Sequence, residues 1–177
     1  MPPWAFPWKV GPRIGRQVIK RCLKPLARRL ISSPRRGQEL LLVLGAQRSG
    51  SSMLSEVLAS HPEIAGIGEA HVRYVEPASL RDLALQIVYY RRADVWRVRY
   101  LMDKVLHDSH LPAIADVAQW IPTRVIVLTR DPAAVVDSMR RWLNTDASDE
   151  AAMLDLDARL ANRYQKITED VESLPAT

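Results

Sequence analysis

The sequence predicts an α/β fold with a parallel sheet flanked by helices, and three observations carry that prediction. Residues 40–44 are a continuous apolar run without the alternation of a half-exposed strand, so both faces should be buried, as in a parallel sheet. Residues 124–129 form the clearest later strand, with Val125, Ile126, Val127 and Leu128 at its centre. Between and beyond these runs, segments with apolar residues every three or four positions alternate with strand-like ones, the order that βαβ units need. At 177 residues and 47% hydrophobic content, the chain suits one domain that buries about 70% of its extended-chain surface.

The first 37 residues stand apart from this body. They hold ten of the 25 basic residues and none of the 20 acidic ones, so the remainder is near −5 although the whole chain is +5. Trp4, Phe6 and Trp8 lead into Ile14, Val18, Cys22, Leu26 and Leu30, apolar at four-residue spacing among basic side chains. Residues 4–31 could therefore make peripheral contact with an anionic membrane or a phosphate-rich partner. They could equally extend as a solvated basic face, which Pro25 and Pro34 interrupt. No apolar run approaches the ~18 residues of a spanning helix. The aromatics precede the charges with no apolar region behind them, unlike a cleavable signal, whereas an amphipathic presequence stays compatible. Nucleic acid is not an expected partner, because no recognised motif and no basic body accompany the arm. The single cysteine, Cys22, excludes an internal disulfide framework and fits a reducing compartment; the expected location is cytoplasmic, with the membrane surface as a peripheral option.

Residues 32–37 read as a linker, and the ordered body, residues 38–177, begins near Glu39. After the first strand, residues 51–60 should form a helix with Leu54, Val57 and Leu58 facing inward, stopped by His61-Pro62. Residues 61–77 read as irregular and contain Glu69, His71 and Glu76. Pro77 and Ser79 introduce a helix over 79–92, with Leu80, Leu83, Ala84, Ile87 and Val88 on one stripe. Residues 98–103 suit a short strand and 109–119 a helix. Past the 124–129 strand, Asp131-Pro132 supplies a capping residue and a first-turn proline. The last helix, 149–173, carries Met153, Leu156, Leu160, Tyr164, Ile167 and Val171 at three- and four-residue steps.

The chemistry is concentrated where the first strand ends. Gly45-Ala46-Gln47-Arg48-Ser49-Gly50-Ser51-Ser52 is an altered P-loop: the two glycines are five apart, but Ser51 takes the lysine position and Arg48 lies inside the loop. This order predicts a P-loop-containing nucleoside triphosphate hydrolase-like fold without the nucleotide-kinase lysine. Backbone N–H groups from Ser49 to Ser52 can converge on an anion, and Arg48 can add charge-assisted hydrogen bonds of roughly 1.5–3 kcal/mol each. A second anion candidate, Arg130 with Ser138 eight residues on, follows the 124–129 strand, where open α/β sheets bind ligands.

Those two motifs, with His61-Pro62-Glu63-Ile64, Glu69 and Leu128-Thr129-Arg130-Asp131-Pro132 in the same order, resemble the sulfotransferases that use 3′-phosphoadenosine 5′-phosphosulfate (PAPS). The likeness covers about residues 40–145 and is nearest to the carbohydrate and tyrosylprotein branch with its bacterial relatives. The resemblance implies that Arg48, Ser49, Gly50, Ser51 and Ser52 hold the 5′-phosphosulfate, and that Arg130 and Ser138 hold the 3′-phosphate. It implies Glu69 as the base, Lys104 as a cation over the leaving oxygen, and Arg48 in both donor binding and catalysis. His107 or His110 could be the base instead, as histidine is in the cytosolic branch. Transfer in this family needs no metal, and the i, i+3 pair His107 and His110 lacks a third ligand with convincing spacing.

Two departures qualify the likeness: no proline follows Lys104, and, with the sequence ending at Thr177, the C-terminal elements that cover the nucleotide in relatives are not expected in it. The expected activity is sulfuryl transfer from PAPS to a hydroxyl of a carbohydrate or small molecule, with adenosine 3′,5′-bisphosphate as product. Residues 70–100 are the expected seat of acceptor choice. The alternative is a shortened, catalytically silent relative that binds a nucleotide or a partner.

Overall fold

The computed structural model describes residues 35–107, 113–143 and 150–172. The basic arm up to residue 34, Cys22 within it, and His110 lie outside the described residues. Four strands form one all-parallel sheet: β1 (Glu39–Gly45), β2 (Ile64–Gly66), β3 (Tyr100–Val105) and β4 (Thr123–Leu128), in the order β2-β3-β1-β4. Five helices accompany them among the described residues: α1 (Ser51–Ala59), α2 (Ser79–Arg91), α3 (Ile114–Trp120), α4 (Pro132–Leu143) and α5 (Glu150–Glu172). The α/β class read from the sequence is present. No helix among the described residues is long and apolar enough to cross a membrane.

The helices divide between the sheet faces because the chain reverses direction. From β1 it travels past β3 to the β2 edge, then returns through β3 and across β1 to β4. Right-handed crossovers in opposite directions place their helices on opposite faces. Leu54, Leu58 and Ala59 of α1 accordingly pack with Leu41, Val43 and Met102. On the other face, Leu40, Leu42 and Leu44 meet Leu80, Leu83 and Ile87 of α2, Ile114 and Val117 of α3, and Ile167 of α5. Hence β1 is apolar at successive positions: Leu40, Leu42, Val43 and Leu44 are fully buried. Truncating one of these leucines to alanine typically costs 2–5 kcal/mol.

Several expectations shift. Val57 does not face inward; it is 62% exposed, while Ser51 and Ser55 are buried. The stripe toward the sheet runs 51, 54, 55, 58, and position 57 falls outside it at 100° per residue. Val88 sits at the edge of its stripe, 36% exposed, whereas Leu80, Leu83, Ala84 and Ile87 are buried as read. The segment taken as irregular contains β2, three residues long and too short to announce a period. Strand β3 lies two residues later than read, which draws Lys104 into the sheet beside Asp103, and both are buried. The start of α4 is as read: Asp131 Oδ1 accepts from Ala133 N at 3.3 Å, with Pro132 in the first turn.

Candidate functional site

The carboxyl ends of β1, β3 and β4 open onto one cavity of about 520 Å³, lined by residues of both anion motifs together with Glu69, Lys104 and His107. Its floor is the loop after β1. Gly45 ends the strand where a Cβ would lie 2.8 Å from the carbonyl oxygen of Leu128, so only glycine allows β1 and β4 to approach this closely. Arg48 (φ 63) and Gly50 (φ 94) then take left-handed conformations that fold the loop back over the start of α1. Ser49 Oγ donates to the Ala46 carbonyl at 2.7 Å and is buried, so its hydroxyl fastens the loop itself. Gly50 caps α1 without a side-chain hydrogen bond. The first-turn N–H groups of that helix are thus left to an anion, with the helix dipole behind them.

Side chains from three elements bring positive charge to this floor. Arg48 Nε donates to Ser138 Oγ at 3.1 Å, and Arg130 Nη1 donates to the Arg48 carbonyl at 2.8 Å. These bonds join motifs that lie 82 to 90 residues apart in the chain. Lys104, only 7% exposed, donates from Nζ to Ser52 Oγ at 3.1 Å. A cation from β3 therefore stands at the first turn of α1. Trp142, one helical turn beyond Ser138, lines the same cavity and is 62% exposed.

The same cavity holds one carboxylate, Glu69. Glu69 Oε1 is buried without a hydrogen-bond partner, and His107 Nε2 lies 3.8 Å from it. A buried carboxylate oxygen left unbonded is costly in a native structure and points to a group that acts on a ligand. His107 also contacts Gln47 Nε2 at 3.2 Å and stacks obliquely on His71 with ring centroids 5.9 Å apart.

The segment carrying Glu69 hangs from Asp103. That carboxylate, 1% exposed, accepts from Ala70 N at 2.9 Å and from Tyr74 Oη at 2.8 Å. Burial pushes its pKa up to about 6, against the lowering effect of the bonds from Ala70 and Tyr74; the neighbouring Glu69 charge raises it further. The Tyr74 hydroxyl is held well above its ordinary value, chiefly by burial and then by the Asp103 charge.

Of the residues named from sequence, the cavity gathers Arg48, Gly50, Ser51, Ser52, Glu69, Lys104, His107, Arg130 and Ser138. Sequence reading missed Asp103 and Tyr74 as supports, and it missed Arg163. The guanidinium of Arg163, 4% exposed, donates from Nε to the Gly45 carbonyl at 3.3 Å and from Nη2 to the Val105 carbonyl at 2.7 Å. A signal was present, since position 163 falls between Leu160 and Ile167 on the buried stripe of α5. Among the described residues no group of three His, Cys, Asp or Glu side chains is placed to hold a metal ion. No protein-family model, curated protein or solved structure matches this chain.

Proposed function

We propose that this cavity binds PAPS and that the chain is a sulfotransferase acting on an acceptor hydroxyl. The observation that carries the reading is the convergence of two anion motifs on one cavity that also holds Glu69, one oxygen of which is buried and accepts no hydrogen bond. The donor supplies a sulfuryl group on an anhydride oxygen. The N–H groups of the first turn of α1, with Ser51, Ser52 and Arg48, suit its phosphosulfate; Arg130 and Ser138 suit a second phosphate. The exposed Trp142 ring offers a flat face to a base at the rim.

In this reading Glu69 takes the proton of the acceptor hydroxyl as its oxygen bonds to sulfur. The bond from sulfur to the bridging oxygen breaks, and its electron pair leaves on the phosphate beside Arg48 and Lys104. Glu69 is favoured over His107 as base because its Oε1 is buried and without a hydrogen-bond partner. His107 lies beside it, within reach of the same acceptor.

The Lys104–Ser52 bond argues against a nucleotide kinase of similar fold. In a P-loop kinase the serine or threonine at the position of Ser52 faces magnesium. Here an ammonium already stands at that hydroxyl, and it opposes a divalent cation while supplying the charge itself.

Calorimetric titration of the full chain with adenosine 3′,5′-bisphosphate beside 5′-AMP tests the proposal. Micromolar binding that needs the 3′-phosphate and falls at least tenfold in Arg130→Ala is the expected result. Magnesium-dependent ATP binding, or equal affinity for the two nucleotides, overturns it. No nucleotide binding by folded protein also overturns it and leaves the catalytically silent relative as the better account.

A further inference from the structure

A second cavity of about 340 Å³ lies beside the first, between α4 and α5. Gln47, Leu106 and His107 line both cavities, so the two spaces adjoin along those side chains. The character of the two spaces differs sharply. The second is walled by Val135, Val136 and Met139 from α4 and by Leu156 and Leu160 from α5, among other residues. Its two basic residues are already engaged: Arg163 bonds the strand-end carbonyls, and Arg159 pairs with Asp155 at 2.8 Å. Residues 70–100, the expected seat of acceptor choice, contribute nothing to either lining.

We infer that this second cavity receives the acceptor, and that the acceptor is an alcohol or phenol with an apolar body rather than a sugar. The inference rests on the sulfotransferase reading and deepens it. Two-substrate transfer needs both reactants at one point, and the shared wall supplies that point. An apolar body seated against Val135, Val136 and Leu160 directs its hydroxyl toward Gln47 and His107, the polar side of the cavity, and so toward Glu69. There the hydroxyl oxygen bonds to sulfur, the sulfur–bridging oxygen bond breaks with its electron pair on the phosphate, and the proton passes to Glu69. A sugar in the same place would turn several hydroxyls onto aliphatic side chains, and each one left unpaired lowers affinity roughly ten- to a hundredfold.

The test uses the full chain and two probes, 2-naphthol and methyl β-D-glucopyranoside, titrated with and without adenosine 3′,5′-bisphosphate. Two variants accompany the wild type: Leu156→Trp, which fills the cavity, and Leu156→Gln, which makes its wall polar. Leu156 is half-buried and does not line the anion cavity, and thermal melts verify that both variants fold. Saturable 2-naphthol binding that weakens at least tenfold in both variants, with bisphosphate affinity unchanged, is the expected result. Tighter binding of the glucoside, or naphthol affinity indifferent to both variants, overturns the acceptor assignment while leaving the donor reading intact. Naphthol binding by a wild type that does not bind the bisphosphate overturns the donor reading, and the acceptor role falls with it.

Discussion

Two stretches cross the carboxyl edge of the sheet and build the same cavity, yet they take their shape in different ways. The loop from Gly45 to Ser52 has bonds of its own, Ser49 to Ala46 three residues back and Leu54 N to the Gly50 carbonyl at 3.2 Å, beneath those that reach it from Arg130, Lys104 and Arg163. The stretch 67–74 is fastened from far along the chain, by Asp103 to Ala70 and Tyr74 and by Lys104 N to the Gly68 carbonyl at 3.1 Å. Both use left-handed residues, Arg48 and Gly50 in one and Gly68 and His71 in the other. The first presents N–H groups and the Arg48 cation; the second presents the Glu69 carboxylate. Backbone N–H groups can be arrayed by a local sequence because the loop itself supplies them, whereas a carboxylate aimed into a cavity needs remote support to hold its segment in place.

Substitutions in each stretch separate their tasks. On the proposed reading, Glu69→Gln, in the second, should lower sulfuryl transfer about 10²- to 10⁴-fold while leaving bisphosphate affinity unchanged, as read by single-turnover assay and calorimetry. Undiminished turnover would remove Glu69 from the mechanism.

The remote fastening carries its own signature in pH. Asp103 titrates near 6 in the folded chain against an ordinary 3.8, so between those values the native state holds a proton that the unfolded chain has released. Stability therefore falls as pH rises through that window, and the cost, about 3 kcal/mol, is complete above about pH 6. Asp103→Asn should abolish that slope, because a neutral amide can still accept from Ala70 and meet the Tyr74 hydroxyl. Denaturant unfolding at pH 4, 5, 6 and 7.5 measures it; parallel stability profiles for wild type and variant would contradict the assignment.

The smallest effect belongs to the local stretch. Gly50→Ala places a Cβ on a residue with φ 94, at a cost of about 1–2 kcal/mol read as a lower midpoint of thermal unfolding. Open space around that position means the penalty comes from backbone conformation alone. An unaltered midpoint would show that the loop relaxes freely and is not pre-shaped.

The same contrast explains how far the sequence could be read. The apolar runs at 40–44 and 124–129, the Gly45 to Ser52 loop and the Asp131-Pro132 cap are short-range patterns, and all are found where they were expected. Glu69, Arg130 and Ser138 were named from sequence, but their meeting with Arg48 depends on strand order, which no single segment encodes. The orientation of Val57 failed because α1 leans on its serines, and β2 was lost because three residues show no period. Asp103 and Tyr74 stayed invisible for the same reason that they matter, since their partners lie 29 and 33 residues away.

Arg163 makes the carboxyl edge of the sheet depend on the last helix described. Its guanidinium joins the carbonyl ends of β1 and β3 from a position 118 and 58 residues further along the chain. Removing α5 would strip those two carbonyls of that partner, so a cut before residue 163 should loosen the loop after β1 as well as the core that Ile167 helps to fill.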